Sequence, residues 1–307
     1  DLIVAIAEWL GPVNPPSPEG IGDDCAAHHP PASHQQIVTT DALVYGQHFD
    51  HSISARQAGA KLINRNLSDV AAMGGRPERA VLNLLLGPDL EIGWLEDFFA
   101  GIFDAADAVD LKIVGGDVCG SKPGTFISVL TLLGSAKGPL TRHTAQFGDA
   151  LFVTGELGGS LLGRHATFSP RLVEGQWLAE TGHCTALIDL TDGLAKDLPS
   201  LLTKGQSARL NLDSIPVSAD ARMTAERSEL SALEHACCDG EDYELLFTVR
   251  ADTLVPDFIA SWQQFFPNIR LSHLGQIVPQ GNRARIINAA DGSDLPFMQG
   301  FEHFRGS

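Results

Sequence analysis

Carboxylates recur where apolar runs of this chain stop. Asp41 closes "IVTTD", Asp117 closes "KIVGGD", and Asp189 and Asp192 fall at the end of "ALIDLTD". Hydroxyls and glycines accompany them: Thr39 and Thr40 precede Asp41, Gly115 and Gly116 precede Asp117, and Thr191 lies between Asp189 and Asp192. Two further acids, Asp23 and Asp24, stand side by side in "IGDDCAA". Asp69 sits in "NRNLSDVAAMGG", three residues after Asn66 and so on one helical face with it. Any one of these acids alone can be a turn former or a helix N-cap. Together they make an oxygen-rich set that suits Mg²⁺, a hard octahedral ion usually shared with substrate phosphates. A cation would also offset the repulsion between Asp23 and Asp24.

Several other chemistries lack their residues. Cys and His clusters for zinc are absent. So are G-x-x-x-x-G-K-[ST], a G-x-G-x-x-G after a first strand, the kinase H-R-D and D-F-G set, and G-x-S-x-G. "GELGGS" (155–160) reads either as a helix start offering backbone N–H groups to an anion or as a plain turn. With 38 acidic against 21 basic side chains, the net charge of −17 opposes a nucleic-acid partner. An acidic protein that handles phosphates needs cations as intermediaries. The five cysteines are odd in number, show no C-x-x-C spacing and include a vicinal pair, so reduced thiols are expected. No apolar run reaches the roughly 18 residues of a membrane span. The opening "DLIVAIAEWL" reads as an amphipathic helix rather than a signal peptide, and a cytoplasmic protein is the expectation.

The elements that must position these acids alternate. Strands are expected at 36–44, 80–87, 111–116 and 125–136, with helices at 55–73 and 92–108, the second carrying Trp94, Leu95, Phe98, Phe99, Ile102 and Phe103 at near-helical spacing. The Gly- and Pro-containing stretch 137–149 is the candidate boundary, dividing domains at 1–138 and 139–307. Beyond it the pattern gives a strand at 150–155, a helix opening at "ELGGS", a strand at 185–190, a helix from Asp192 that Pro199 should kink or restart, and strands near 243–250, 270–277 and 284–288. The fold class is α+β, with two mixed α/β domains. Ligands gather at one sheet edge in such folds, so acids at separate strand ends can converge.

Taken in order, "GIGDDCA", "TTDALVYGQHF", "NLSDVAAMGGRP", "IVGGD", "PLTRHTAQFGDALFVTGELG", "IDLTDGLAKDL", "DGEDYELLFTV" and the terminal "GFEHF" resemble the thiamine-monophosphate kinase family, of the superfamily that includes aminoimidazole ribonucleotide synthetase and selenophosphate synthetase. The resemblance covers nearly the whole chain. It implies an N-terminal domain that dimerises through its sheet, a C-terminal α/β domain and an ATP cleft between them. It also implies transfer of the ATP γ-phosphoryl group to thiamine monophosphate. Carried over by position, Asp24, Thr39, Thr40, Asp41, Asp69, Asp117, Asp189 and Asp192 would hold several Mg²⁺ ions, and Arg142, Thr191, Gly116 and Asp117 would contact ATP. His48, Glu241 and Phe301 would face the thiamine phosphate. Asp41, Asp69, Asp117 and Arg142 would carry the catalysis, while Asp23 receives no ligand role.

The chain departs from the family pattern in three places. "GGDVCGS" places Val118 and Cys119 where the family has hydroxyls, Asp239 in "CCDGEDYEL" replaces a glycine, and Asn64 and Arg65 replace small apolar residues before "NLSD". These put substrate preference and rate in question. Two alternatives stay open: another ATP-dependent enzyme of the superfamily, or a binding protein that keeps the fold without turnover. No reactive Cys with a nearby Lys lies in the first 20 residues, as selenophosphate synthetase would need, and "FRGS" lacks the terminal cysteine of the hydrogenase-maturation relative.

Overall fold

The computed structural model describes residues 2–15, 33–281 and 284–295. Asp23, Asp24 and Phe301 lie outside the described residues. Internal contacts divide the chain into two units, one of Asp1–Val70, Gly75–Gly138 and Ala166–Pro170, the other of Ala71–Gly74, Pro139–His165 and Arg171–Ser307.

The first unit contains α1 (Leu2–Leu10), β1 (Gln35–Val44), α2 (Ala55–Ala72), β2 (Arg76–Leu86), α3 (Ile92–Asp107), β3 (Lys112–Gly120) and β4 (Phe126–Ala136). The run Ile37 to Thr40 is β-branched throughout and favours a strand. Ser54 caps α2 reciprocally: its hydroxyl accepts from Gln57 N–H, and the Gln57 side chain accepts from Ser54 N–H. The sheet order is β1-β4-β2-β3, with β4 antiparallel to both neighbours and β2 parallel to β3 through the α3 crossover. One sheet face buries Leu82, Leu84, Ser128, Leu130 and Leu132. Helices α2 and α3 approach backbone to backbone. A Cβ on Gly59 would lie 2.0 Å from the Phe98 carbonyl oxygen, and one on Gly101 would lie 1.9 Å from that of Arg56.

The second unit holds β5 (Ala150–Thr154), α4 (Leu172–Thr181), β6 (Cys184–Asp189), α5 (Leu194–Asp197), β7 (Gln206–Leu210), α6 (Ala219–Ala225), α7 (Ala232–Cys238), β8 (Leu245–Val249), α8 (Val255–Phe265), β9 (Leu271–Pro279) and β10 (Ile286–Asn288). Its six strands run β10-β7-β9-β5-β8-β6, and only the β10–β7 pair is parallel. Leu151, Val153, Ile188, Leu246 and Ile277 sit in one apolar core with Leu198 and Leu201. The helix expected from Asp192 begins at Leu194 and stops at Asp197, and a 3₁₀ turn carrying Pro199 follows at Leu198–Leu201. No helix opens at "ELGGS". Gly158 and Gly159 are left-handed, at φ +83° and +70°, which a right-handed helix cannot absorb, and only a 3₁₀ turn at Ser160–Leu162 follows. Strand β7 and helices α4, α6, α7 and α8 went unread in the sequence pattern.

Among the described residues, no helix is long and apolar enough to cross a membrane.

Candidate active site

In the first unit the acids gather around β1 and α2. Thr39 and Asp41 alternate onto the strand face that looks toward α2. From α2, Arg65 and Asp69 stand one turn apart and meet them. The Thr39 hydroxyl donates to the Asp69 carboxylate. Arg65 Nε lies 3.4 Å from Asp41 Oδ2, and Arg65 Nη1 donates to the Ala42 carbonyl at 2.8 Å. Arg65, a departure at sequence level, thus holds a candidate ligand in place. Thr40 faces the other way, its hydroxyl donating to the Leu130 carbonyl and bonding Thr131 Oγ1, each at 3.0 Å. Asn66 is buried, and its Nδ2 donates back to the Leu62 carbonyl.

Gly116 lets β3 press against β2, since a Cβ there would sit 1.8 Å from the Leu82 carbonyl oxygen. Asp117 follows it on exposed strand. The Cys119 thiol donates to Asp117 Oδ2 at 3.1 Å, and that bond raises the thiol's pKa. The sulfhydryl therefore supplies a donor where the family pattern has a hydroxyl. His48 lies in the turn after β1. Its Nδ1 accepts from Val44 N–H at 3.0 Å, and its carbonyl accepts from the buried Lys61 Nζ at 2.8 Å.

In the second unit, β6 delivers Asp189, 3% exposed, to the start of the Leu190–Gly193 loop. Three successive N–H groups, of Thr191, Asp192 and Gly193, point at one carboxylate oxygen of Asp197, at 2.9, 2.9 and 3.1 Å. This backbone nest is filled by the protein's own acid. Burial lifts the Asp197 carboxyl to about 6 even though those bonds pull the other way. Asp192 pairs with Lys196 at 2.7 Å. Arg142 is exposed on the loop after Pro139. That loop lies along the free edge of β6: Leu187 N–H donates to the Thr141 carbonyl, and the Thr144 hydroxyl donates to the Thr185 carbonyl. Arg142 therefore flanks the strand that ends in Asp189.

Glu241 has φ +52°, and its Oε2 lies 3.2 Å from His165 Nδ1. The backbone N–H of Glu241 donates to the Thr191 carbonyl at 2.7 Å and that of Tyr243 to the Leu190 carbonyl at 2.8 Å. The segments "LTDG" and "GEDYE" are thereby one stitched structure. The N–H groups of "GELGGS" do bind anions, but these are the protein's own: Gly158 donates to Asp242 and Gly159 to Asp239, both at 2.8 Å. Asp239 also takes His235 Nδ1 at 2.8 Å, so this extra charge is tied down. Asp197, Asp242 and Arg164 were missed in the sequence. Asp242 takes an N–H 84 positions away, which no local motif announces, while Asp197 takes N–H groups four to six residues before it that only the folded loop turns toward it.

Among the described residues no three His, Cys, Asp or Glu side chains converge into a self-sufficient metal cage. The candidate donors come instead as carboxylate and hydroxyl pairs such as Thr39 with Asp69. All are hard oxygens, and they fit Mg²⁺ in kind, an ion that keeps waters and phosphate oxygens in its remaining positions.

The family described as AIR synthase related protein, N-terminal domain, matches residues 22–136. A thiamine-monophosphate kinase of Rhodopirellula baltica is 35% identical over 293 residues, covering 92% of this chain and 90% of that protein. The crystal structure of thiamine-monophosphate kinase from Stenotrophomonas maltophilia has a TM-score of 0.77 at 30% identity, covering 95% of this chain and 96% of that one. AaThiL complexed with AMPPCP and TMP has a TM-score of 0.75 at 27% identity, covering 99% of this chain and 96% of that one. With identity of this level along nearly its whole length, the chain belongs to the thiamine-monophosphate kinase family.

Proposed function

We propose that this protein transfers the γ-phosphoryl group of ATP to the phosphate of thiamine monophosphate, giving thiamine diphosphate, with Mg²⁺ as the required cation. The observation that carries the reading is the pairing of Thr39 with Asp69 and of Asp41 with Arg65 across β1 and α2, in a chain 35% identical over 92% of its length to a thiamine-monophosphate kinase. AaThiL, of the same fold, is complexed with an ATP analogue and TMP.

Donor and acceptor are both phosphates, so the barrier is set by charge neutralisation and in-line positioning rather than by a strong base. Mg²⁺, when bound, neutralises phosphate oxygens and holds the two groups in register. Several such ions would be held, by Asp24, Thr39, Thr40, Asp41, Asp69 and Asp117 on the first unit and by Asp189 and Asp192 on the second, and the bonds of Thr39 to Asp69 and of Arg65 to Asp41 keep two of those acids oriented. Arg142, exposed and planar, clamps phosphate oxygens of ATP through paired N–H donors. Gly116 and Asp117 on the first unit and Thr191 on the second would contact ATP. Glu241 and His48 would orient the acceptor, Glu241 presenting an anion to the cationic thiazolium ring, and Phe301, outside the described residues, has a ring of the kind that stacks on it. The working form is a homodimer.

The test is direct. Purified protein with ATP, Mg²⁺ and thiamine monophosphate is expected to yield thiamine diphosphate and ADP in equal amounts, with no product when chelator replaces Mg²⁺. Binding of both ligands by calorimetry without product would instead mark a protein that has kept the fold and lost the reaction.

A further inference from the structure

Asp242 is the most deeply buried acid of the "GEDYE" segment, with a fully covered side chain. Its neighbours on both sides are strained. Glu241 and Tyr243 each have φ +52°, a left-handed conformation that is uncommon for any side chain but glycine and an outlier for a ring as bulky as tyrosine. Such backbone persists only where the surroundings over-determine it.

The surroundings here are specific. Asp242 Oδ1 accepts from Gly158 N–H at 2.8 Å and from Arg164 Nη2 at 3.1 Å. Arg164 also donates to the Gly158 and Glu156 carbonyls, at 2.9 and 2.8 Å. The Ser160 hydroxyl donates to the Gly240 carbonyl at 2.7 Å. No side chain can enter this loop: a Cβ on Gly158 would lie 2.6 Å from Ala236 Cα, and one on Gly159 would lie 2.4 Å from Ala221 N. Burial pushes the Asp242 carboxyl up to about 8, against the pull of Arg164. Its Oδ2 is buried without a hydrogen-bond partner among the described residues. An acid kept in so costly a place does more than fill space.

We propose that Asp242 is a positioning residue for the acceptor substrate, its Oδ1 pinning the left-handed Glu241–Tyr243 turn to the glycine loop and Arg164 so that the Glu241 carboxylate keeps one direction. The Glu241 oxygens are themselves bracketed, Oε2 by His165 and Oε1 by the Tyr243 hydroxyl at 3.5 Å. The backbone N–H groups of Glu241 and Tyr243 stay tethered to the Thr191 and Leu190 carbonyls, so release of the clamp turns the segment about those two bonds and changes the direction of the Glu241 side chain. The inference rests on the reading in which Glu241 contacts thiamine monophosphate.

A double-mutant cycle tests it, with kcat and KM measured for both substrates in the parent, Asp242→Asn, Glu241→Gln and the double variant. Asp242→Asn is expected to raise the KM for thiamine monophosphate about tenfold while kcat and the KM for ATP stay within about twofold. Added to Glu241→Gln it is expected to cost less than about twofold more, because the path through Glu241 is already gone. Additive effects, or an equal rise in the KM for ATP, would overturn the proposal, since a general loosening of the unit does both. Arg164→Lys, at a side chain 27% exposed, covers the case in which Asp242→Asn does not fold. It should move the same KM by about threefold and lose that effect beside Glu241→Gln, and no change in that KM overturns the proposal equally. A parent that makes no thiamine diphosphate removes the functional reading and the proposal with it. A parent that turns over with an additive cycle removes the proposal alone.

Discussion

Asp69 accepts the Thr39 hydroxyl while carrying a charge, and those two properties separate on substitution. Asparagine keeps an acceptor for that hydroxyl and removes the charge. Asp69→Asn is therefore expected to keep its melting temperature within about 3 °C while kcat falls by about 100-fold or more, and near-normal turnover would exclude a cation-binding role for this acid. Asp242 yields a pH prediction. Its carboxyl titrates at about 8 in the folded protein against an ordinary 3.8, so folding is favoured by its bound proton. That contribution is complete below pH ~4 and is lost as pH rises through ~8. The urea-unfolding stability of the parent, relative to Asp242→Asn, should fall by more than about 1 kcal/mol between pH 5.5 and pH 9. A constant or rising difference would place the proton elsewhere. The candidate metal acids stand out in the sequence because strand ends, hydroxyls and glycines accompany them. Asp242 and Asp197 do not, because both look like ordinary members of acidic stretches until the chain closes backbone N–H groups onto them.

At the scale of elements, long periodic segments were readable and short ones were not. Helix α3 shows its buried Leu95, Phe98, Phe99 and Ile102 as a stripe, and α2 follows a reciprocal Ser54 and Gln57 cap. Helices α6 and α7 span only 7 residues each, too few to display a period, and their caps at Ser218 and Ser231 are the only local signal. The stretch "GELGGS" misled because glycines before a helix and glycines in a self-filled loop have the same composition. What glycine does at the α2–α3 crossing was also invisible in one dimension. There Gly101 is pressed against Arg56, so Gly101→Ala must push the helices apart. The gain in helix propensity, about 1 kcal/mol, is smaller than an overpacking cost of about 1–3 kcal/mol or more for contact with backbone. A net loss of stability, seen as a lower urea midpoint for the first transition, is expected. A variant as stable as the parent would show that α2 and α3 can separate freely.

For the whole molecule, the first unit's sheet has two unlike faces. One face buries Leu82, Leu84, Leu130 and Leu132. The pairing register places Val38, Leu133, Thr131, Val129, Val81 and Leu85 on the other face with the polar Thr40, Arg79 and Asn83, and each of these is at least partly exposed. Val38, on edge strand β1, is 62% exposed. The neighbouring valines and leucines of this mixed face are more than scattered surface hydrophobicity, and contiguous apolar side chains rimmed by polar ones mark association. Among the described residues β1 is the edge strand of this sheet, and an edge is where another strand can add. Two copies joined through this face would satisfy both features, in line with the homodimer proposed above. Light scattering of the purified chain at micromolar concentration is expected to give twice the 32.8 kDa chain mass. Leu133→Glu and Val38→Glu together place two like charges on each partner at that contact, and they should shift the mass to that of one chain while circular dichroism stays unchanged. Thr39 and Asp41 alternate to the opposite side of β1, so the half-site they form with Asp69 survives that change in outline. A parent that is monomeric under these conditions, or a doubly charged variant that still dimerises, would assign this face another role.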